Sequence, residues 1–485
     1  MEHLTLLDYL TLYAQRAPEQ KLLGDRQGWL TTTQVLERVE DTAGKLYASG
    51  LRSGHWAALR MEQTTQAVIM LLSLQAVGAV AVLTDPRQPV RQALKAAALP
   101  KTVKWAIFRE NDWVLEENGR QQPIDQAEKT DFTPHQNPKS PGMVIFTSGS
   151  TGKSKAVLLS QSNLIANLLA SAPLGGYRED DIALGALPMD HVFGLALLTG
   201  AIVLRHSLYL TPGSDLGTVL STIRDQGITR MNGVPSLYLN MAGKKDQYDL
   251  DSLRCGFIGG GPCTKEQFVT IEKELGMTLV PVYGMSECIG ISCGCHTDPQ
   301  DIRASGVGRI YPGNQCRLLK EDGTAASMGE EGEICVTGPQ RMIGYCDPIQ
   351  TAEALDGEGY LHTGDLGFLD EGGILHLTGR KKDIIIRNGV NLSARRIEEA
   401  LLRIPGVSNA MVVGLPHDSQ GEAPWVLAVS SLTEKVILAR LYEMLPKNEI
   451  PMGIQIVPAM PMTASGKPDK IKGKELLAQW AKALF

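Results

Sequence analysis

The stretch Met143–Lys155, MVIFTSGSTGKSK, joins a short apolar run to a loop of glycine, serine, threonine and lysine. The apolar run predicts a buried β-strand. The loop offers backbone N–H groups, hydroxyl groups and a lysine, a combination that suits phosphate. A Walker A loop would need glycine at position 147, where this chain has Thr147, so an ordinary P-loop NTPase is disfavoured. A flexible linker can have the same composition, but it rarely follows a buried strand directly, and a phosphate loop is predicted.

Short apolar runs alternate with helical patterns on both sides of this loop, which is typical of α/β layers with largely parallel strands. The predicted strands are Trp56–Arg60, Val80–Thr84, Met143–Thr147, Ile182–Leu187, Leu253–Gly259 and Thr278–Tyr283. The run Ala67–Leu83 is nearly uncharged but short for a membrane span, and it predicts a buried helix followed by a buried strand.

The sequence changes character after Gly306. From there to about Leu377, short strand-like pieces are separated by Gly, Asp and Pro, which indicates a β-rich subdomain. The 103 residues after Lys382 (485 minus 382) suffice for a small domain, in which Ser393 is placed to cap a helix that reaches Leu402. The predicted class is α/β, with a large domain of layered α/β subdomains plus the β-rich subdomain over residues 1–381 and a small α+β domain over residues 382–485.

The composition of the 485 residues excludes several classes of protein. A net charge of −6, from 47 Lys and Arg against 53 Asp and Glu, provides no footprint for nucleic acid and no polybasic membrane patch. The first residues lack the pattern of a signal peptide, and eight cysteines are too few for a disulfide scaffold. We therefore expect a cytoplasmic protein without a membrane span. Glycine is enriched, at 50 residues, as suits backbone that approaches a ligand closely.

Seven motifs in order extend the argument over most of the chain. They are TSGSTGKSKAVLLSQSNLIAN (147–167), GGGP (259–262), YGMSE (283–287), GEICVTGPQRMIGY (332–345), GYLHTGDLGFLD (359–370), GRKKDIIIRNGVNLSARRIEEAL (379–401) and TASGK (463–467). This series resembles the acyl-adenylate-forming, or AMP-binding, enzyme superfamily, and in particular its acyl-CoA synthetases. A single motif of this kind can arise by chance, whereas seven motifs in the same order are specific for the superfamily.

The resemblance implies an acid–thiol ligase that works in two steps. ATP transfers AMP to a small carboxylic acid and pyrophosphate leaves; the acyl group then passes from the acyl-adenylate to the thiol of CoA. Mg²⁺ is implied as the ion that accompanies the phosphates. Two alternatives stay open: an acyl carrier protein whose phosphopantetheine replaces CoA, and a catalytically inactive nucleotide-binding regulator.

By this resemblance, several motifs contribute to nucleotide binding. The implied ATP- and AMP-binding residues are Thr147, Ser148, Gly149, Ser150, Thr151, Gly152, Lys153, Gly259, Gly260, Gly261, Tyr283, Gly284, Met285, Ser286, Asp365, Arg380 and Lys467. Tyr283 is similar to the residue that lies against adenine, and Asp365 to the acid that binds ribose. Glu287 is implied as a catalytic residue and magnesium ligand, and Lys467 as the catalytic cation between the carboxylate and the α-phosphate.

The acyl pocket and the hinge complete the implied site. The pocket residues are His191, Val192, Phe193, Gly194, Asn232, Gly233 and Val234. His191 is also a candidate catalytic residue, although a lone histidine in an apolar stretch is more often part of a core. Lys382 matches the hinge between the two domains, which makes the small domain mobile, and Gly389 matches the glycine beside the thiol acceptor.

A zinc site is the weaker interpretation of one further cluster. Cys288, Cys293, Cys295 and His296 lie close together in the sequence, but they lack the paired C-x₂₋₄-C units that are usual for zinc. We expect buried free thiols instead.

Overall fold

Helices and strands alternate along most of the chain in the computed structural model, which describes residues 4–88, 90, 94, 99, 103–109, 113–117, 120–147, 154–212, 215–462 and 468–484. The helices are α1 (Leu6–Arg16), α2 (Thr32–Ala48), α3 (Thr65–Val77), α4 (Gln161–Ser171), α5 (Val192–Leu204), α6 (Leu216–Gln226), α7 (Pro235–Ala242), α8 (Lys265–Leu275), α9 (Gln300–Arg303), α10 (Pro348–Ala354), α11 (Ala394–Leu402), α12 (Glu434–Met444) and α13 (Lys470–Leu484).

The strands are distributed over the whole chain. They are β1 (Lys21–Asp25), β2 (Gly28–Thr31), β3 (Trp56–Arg60), β4 (Val80–Thr84), β5 (Val103–Arg109), β6 (Trp113–Glu117), β7 (Arg120–Pro123), β8 (Pro141–Phe146), β9 (Ala156–Ser160), β10 (Ile182–Gly185), β11 (Ser207–Leu210), β12 (Arg230–Gly233), β13 (Cys255–Ile258), β14 (Thr278–Met285), β15 (Cys288–Cys293), β16 (Arg309–Ile310), β17 (Gln315–Leu319), β18 (Gly332–Thr337), β19 (Gly344–Tyr345), β20 (Leu361–Leu369), β21 (Leu375–Arg380), β22 (Ile384–Arg387), β23 (Val390–Ser393), β24 (Val407–His417), β25 (Gly421–Ser430) and β26 (Gly453–Ile456).

Two large mixed sheets form the layered part of the fold. One has the order β16-β15-β14-β13-β12-β10-β11-β1-β2 and the other the order β19-β9-β8-β4-β3-β5-β6-β7. The inner strands of each are parallel and the outer ones antiparallel. Because parallel strands need crossover connections, helices cover these sheets, and the predicted α/β layers are confirmed.

The nearly uncharged run Ala67–Leu83 is divided between α3 and β4, as expected. Gly78 ends the helix at a φ of +83°, a conformation that glycine adopts without steric cost. Nearly every residue of α3 is buried, which explains its apolar character on all sides. Among the described residues, no helix has the length and apolarity to cross a membrane.

The last two sheets belong to the β-rich and C-terminal parts. Strands β17-β18-β20-β21 form an antiparallel sheet, and β23-β22-β25-β24 form another, to which β26 adds in parallel. In the C-terminal part, Ser393 Oγ accepts a hydrogen bond of 3.3 Å from the Arg396 N–H and so caps α11 as predicted. The α/β class with a β-rich subdomain and a smaller α+β part is confirmed.

Candidate active site

The carboxyl ends of four neighbouring parallel strands meet at one edge of the first sheet. Strands β10, β12, β13 and β14 are adjacent there. Val234, Gly259 and Ser286 directly follow β12, β13 and β14, and His191 lies in the segment between β10 and α5. In open α/β sheets, ligands bind outside these carboxyl ends. The topology therefore brings together residues that are almost 100 positions apart.

The ends of the predicted phosphate loop are paired with each other. The Thr147 N–H donates to the Lys155 carbonyl at 3.0 Å, and the Lys155 N–H donates to Thr147 Oγ1 at 3.3 Å. These bonds prolong the antiparallel pair β8–β9. Ser148, Gly149, Ser150, Thr151, Gly152 and Lys153 lie outside the described residues, as does Lys467.

A buried carboxylate connects the YGMSE and TGD motifs. Tyr283 Oη donates to Asp365 Oδ2 at 2.7 Å, and Arg380 Nε lies 2.6 Å from Asp365 Oδ1. Asp365 and Arg380 face each other across strands β20 and β21. Burial, and then the charge of Asp365, raise the pKa of Tyr283, so its hydroxyl stays protonated and donates. Each carboxylate oxygen keeps a further lone pair for the hydroxyl groups of a ligand.

A second buried carboxylate lies at the turn between β14 and β15. Tyr345 Oη donates to Glu287 Oε1 at 2.7 Å, and both side chains are more than nine-tenths buried. Lys155 Nζ lies over the same ring, 4.7 Å from its centroid, in a cation–π contact. Tyr345 therefore contacts both Lys155, at the end of the predicted phosphate loop, and the carboxylate of Glu287.

Two glycines allow this region to pack as closely as it does. A Cβ at Gly284 would lie 2.2 Å from the Ile289 carbonyl oxygen across the β14–β15 hairpin. A Cβ at Gly259 would lie 2.7 Å from the Val282 carbonyl oxygen on the neighbouring strand. The backbone would have to move for any larger residue. Met285 and Ser286 are half-buried in the same hairpin, while Gly260 and Gly261 are exposed after the end of β13.

The predicted acyl-pocket residues cluster around the start of α5. His191 is the N-cap residue, and Val192, Phe193 and Gly194 form the first turn. Asn232 Nδ2 donates to the Phe193 carbonyl at 3.4 Å, whereas its Oδ1 is buried without a hydrogen-bond partner among the described residues.

The surroundings of this cluster are charged and close-packed. Burial raises the pKa of Asp190, next to His191. Gly233 packs against the Tyr238 ring, and Val234 precedes α7.

The residues predicted for the hinge and for the thiol acceptor, Lys382 and Gly389, lie in different surroundings. Lys382 belongs to a 3₁₀ turn, Lys381–Asp383, directly after Arg380. Burial, and then the charge of Arg380, lower the pKa of Lys382. Gly389 lies at the exposed tip of the β22–β23 hairpin, where Asn388 and Gly389 have φ values of +53° and +77°. Lys382 is thus close to the Asp365 cluster, and Gly389 projects to solvent.

Some residues of the site have no assigned role in the sequence prediction. Tyr345 is the last residue of the motif GEICVTGPQRMIGY, and that position is the only sign of its contact with Glu287. Glu333 and Lys381, joined by an ion pair, also lie within motifs. Cys288 and Cys293 are buried free thiols, as predicted, whereas Cys295 is only half-buried because it lies beyond the end of β15. Within the described residues, the one group suited to a metal by its ligand atoms is Glu333, Cys335 and His362, away from those cysteines.

Comparisons with known proteins match a family over most of the chain. Residues 10–346 match the family described as AMP-binding enzyme, and residues 396–467 match the AMP-binding enzyme C-terminal domain. A 2-succinylbenzoate–CoA ligase of Bacillus cereus (strain Q1) is 30% identical over 479 residues, which cover 96% of this chain and 97% of that protein.

Solved structures share the fold over nearly the full length. The o-succinylbenzoate CoA synthetase from Bacillus subtilis, in complex with its acyl-adenylate intermediate, superposes with a TM-score of 0.84 at 24% identity, covering 96% of this chain and 97% of that one. The same synthetase in complex with ATP and magnesium ion superposes with a TM-score of 0.82 at 24% identity, covering 96% and 99%.

Proposed function

This chain belongs to the family of AMP-binding enzymes. We propose that the site formed by Asp365, Glu287 and the residues at the carboxyl ends of β10, β12, β13 and β14 is its adenylation site. The reaction predicted from the motifs is confirmed at the level of the family: ATP-dependent activation of a carboxylic acid, release of pyrophosphate and transfer of the acyl group to CoA. The enzyme class, an AMP-forming acid–thiol ligase, and the requirement for ATP, Mg²⁺ and CoA are confirmed with it.

The contact of Tyr283 and Arg380 with Asp365 is the observation that carries the proposed site. Asp365 binds the two ribose hydroxyls with the lone pairs that its partners leave open. Tyr283, whose hydroxyl is held by Asp365, places its ring against adenine. Gly259–Gly261 and Gly284–Ser286 bring backbone close to the nucleotide, and Thr147–Lys153 cradle its phosphates.

Glu287 is the proposed ligand of Mg²⁺. Its Oε1 accepts from Tyr345, and among the described residues no hydrogen bond reaches Oε2. A carboxylate oxygen suits this hard ion, which usually takes one or two carboxylates together with substrate phosphates. When bound, the ion neutralises phosphate charge, while Tyr345 keeps the carboxylate oriented.

Lys467 is the proposed catalytic cation. The acid and the α-phosphate are both negatively charged, and an ammonium between them stabilises the charge that builds as the carboxylate attacks phosphorus. The P–O bond to pyrophosphate breaks as the acyl–AMP bond forms. In the second step, the thiol attacks the acyl carbonyl and AMP leaves.

The acid is proposed to enter beside His191 and Asn232. It is a small carboxylic acid, and because curated relatives are named 2-succinylbenzoate–CoA ligases, 2-succinylbenzoate heads the acids to be tested. His191 is proposed to orient the carboxylate, and Phe193, Gly194 and the Gly233–Val234 strand end to shape the pocket.

CoA is the acceptor, and an acyl carrier protein is the alternative partner. The free thiols of all eight cysteines support a reducing, cytoplasmic location.

The two-domain division is proposed at Lys382. The first family region ends at residue 346 and the second begins at residue 396. The proposed boundary between residues 381 and 382 lies between these two regions. The domain over residues 382–485 turns about this hinge, because Lys467 and the thiol have to reach the same carbonyl in succession. This rotation carries the tip of the β22–β23 hairpin, with Gly389, toward the thiol.

ATP–pyrophosphate exchange across a panel of acids tests the proposal. We expect exchange with at least one acid, thioester formation when CoA is added, and loss of exchange in Asp365→Asn. Product with a loaded carrier protein but not with CoA would support the alternative acceptor. Measurable ATP binding without exchange for any acid would refute the adenylation site and favour an inactive regulator.

A further inference from the structure

Glu333 is a buried carboxylate of strand β18 that accepts three hydrogen bonds. Its Oε1 accepts from the Gly364 N–H at 3.1 Å, and its Oε2 lies 2.9 Å from Lys381 Nζ and 3.1 Å from His362 Nδ1. Since a carboxylate only accepts, His362 Nδ1 carries the proton in this contact. The glutamate is 7% exposed, so its partners replace most of its hydration.

The charge of Glu333 is held in place by these partners. Burial acts to raise the pKa of the carboxyl, but the hydrogen bonds and charges of Lys381 and His362 outweigh burial and lower the pKa. The carboxylate is therefore ionised at neutral pH, and its bond to Lys381 is an ion pair.

A metal ion is the other occupant that this cluster suggests. The ligand atoms of Glu333, Cys335 and His362 lie within 4.8 Å of one another. However, the Lys381 ammonium already neutralises Glu333, and both oxygens of the carboxylate are occupied by the Lys381, His362 and Gly364 donors. These contacts are those of an ion-pair network.

The partners of Glu333 adjoin the two parts of the molecule that matter for the reaction. Gly364 precedes Asp365, whose carboxylate holds Tyr283 and Arg380. Lys381 lies between Arg380 and Lys382. One buried side chain therefore holds both the backbone beside the ribose-binding acid and the residue next to the hinge.

We propose that Glu333 is a positioning residue that fixes Asp365 through the Gly364 amide and anchors the large-domain side of the hinge through Lys381. The proposal rests on the proposed function, because it takes Asp365 as the ribose acid and Lys382 as the hinge. Rotation of the small domain needs a fixed point on the large domain, and the Lys381–Glu333 pair supplies it immediately before the pivot.

Two variants separate the two roles. Lys381→Met removes the anchor at the hinge, and we expect thioester formation to fall at least about threefold more than ATP–pyrophosphate exchange. Glu333→Gln also disturbs the Gly364 contact, since one amide oxygen cannot serve all three donors, and we expect both steps to slow and the KM for ATP to rise. The double variant should be no worse than Glu333→Gln alone, because both substitutions break the same pair.

Lys320→Met is the matched control. It breaks the Lys320–Glu330 ion pair of the same subdomain, which is exposed, and should leave the ratio of the two steps as in the parent enzyme. An unchanged ratio in Lys381→Met, or effects of the two variants that simply add, would overturn the positioning role.

Hydrogen–deuterium exchange without substrates separates this proposal from the proposed function. We expect faster exchange around residues 364–366 and 381–384 in Glu333→Gln, and only in the second segment in Lys381→Met. Exchange equal to that of Lys320→Met in both segments would refute the role of Glu333 even in an active enzyme. Absence of adenylation in the parent enzyme, with the expected exchange pattern intact, would refute the proposed function instead.

Discussion

Replacing Tyr345 with phenylalanine removes one hydroxyl group next to the proposed metal ligand and leaves the ring in place. The hydroxyl donates to Glu287 Oε1 at 2.7 Å in a buried setting. A hydrogen bond to a charged group contributes about 1.5–3 kcal/mol, which corresponds to about 10- to 150-fold in a binding constant. Groups that orient a metal ligand have effects of similar size.

We therefore expect Tyr345→Phe to raise the Mg²⁺ concentration for half-maximal ATP–pyrophosphate exchange by about tenfold or more. Exchange at saturating Mg²⁺ should be reduced much less, since the carboxylate itself remains. Binding of Mn²⁺ to the enzyme–ATP complex, followed by electron paramagnetic resonance, gives a second measurement that does not depend on turnover.

Tyr360→Phe is the control for this prediction. The Tyr360 hydroxyl donates to Gln315 Oε1 at 3.0 Å on the exposed side of the β-rich sheet. Both variants should remain folded at the assay temperature, which thermal unfolding checks. If the two variants share the Mg²⁺ dependence of the parent, then Tyr345 does not orient a metal ligand, and the assignment of Glu287 loses its main structural support.

Three further predictions address other parts of the chain. Lys467→Ala should abolish adenylation but largely retain thioester formation from a supplied acyl-adenylate, measured in single turnover; equal loss of both steps would contradict its role. Gly284→Ala should lower the free energy of unfolding by about 1–3 kcal/mol, measured in urea, because its Cβ would meet the Ile289 carbonyl. His206 is buried, and burial, then Arg230, lower its pKa from 6.5 to about 4. The unfolded chain therefore takes up the proton first, so stability falls as the pH drops from about 6.5 toward 4. The loss is about 2 kcal/mol between pH 7 and pH 5, and His206→Gln should show less of it.

The strands and the motif order could be predicted because both are local properties of the chain. Trp56–Arg60 and Val80–Thr84 are strands with the predicted bounds, since a short apolar run between turn residues has few other ways to be buried. Ser393 likewise marks the start of α11. The β8–β9 hairpin shows the limit, because a hairpin around the phosphate loop depends on a partner strand that the motif alone does not reveal.

The pairings within the site could not be predicted in the same way. Tyr283 and Asp365 are 82 positions apart, and Tyr345 and Glu287 are 58 apart. Each pair joins strands of different sheets or hairpins, so its geometry follows from how those sheets pack. In the sequence, Glu333 is simply an acidic residue within a predicted strand. Only the tertiary packing shows that three hydrogen-bond donors surround it.

The amino-acid sequence by itself determined the family and the two-step chemistry, and it predicted the residues that carry this chemistry, because a phosphate loop and charged motifs show which functional groups are available. The tertiary structure decided which of those groups form hydrogen bonds and ion pairs with each other. Such contacts join segments that are distant in the sequence, and a hydrogen bond of about 3 Å is lost when its atoms move apart by a fraction of an ångström. The contacts of Tyr345, Glu333 and Lys381 belong to this second category.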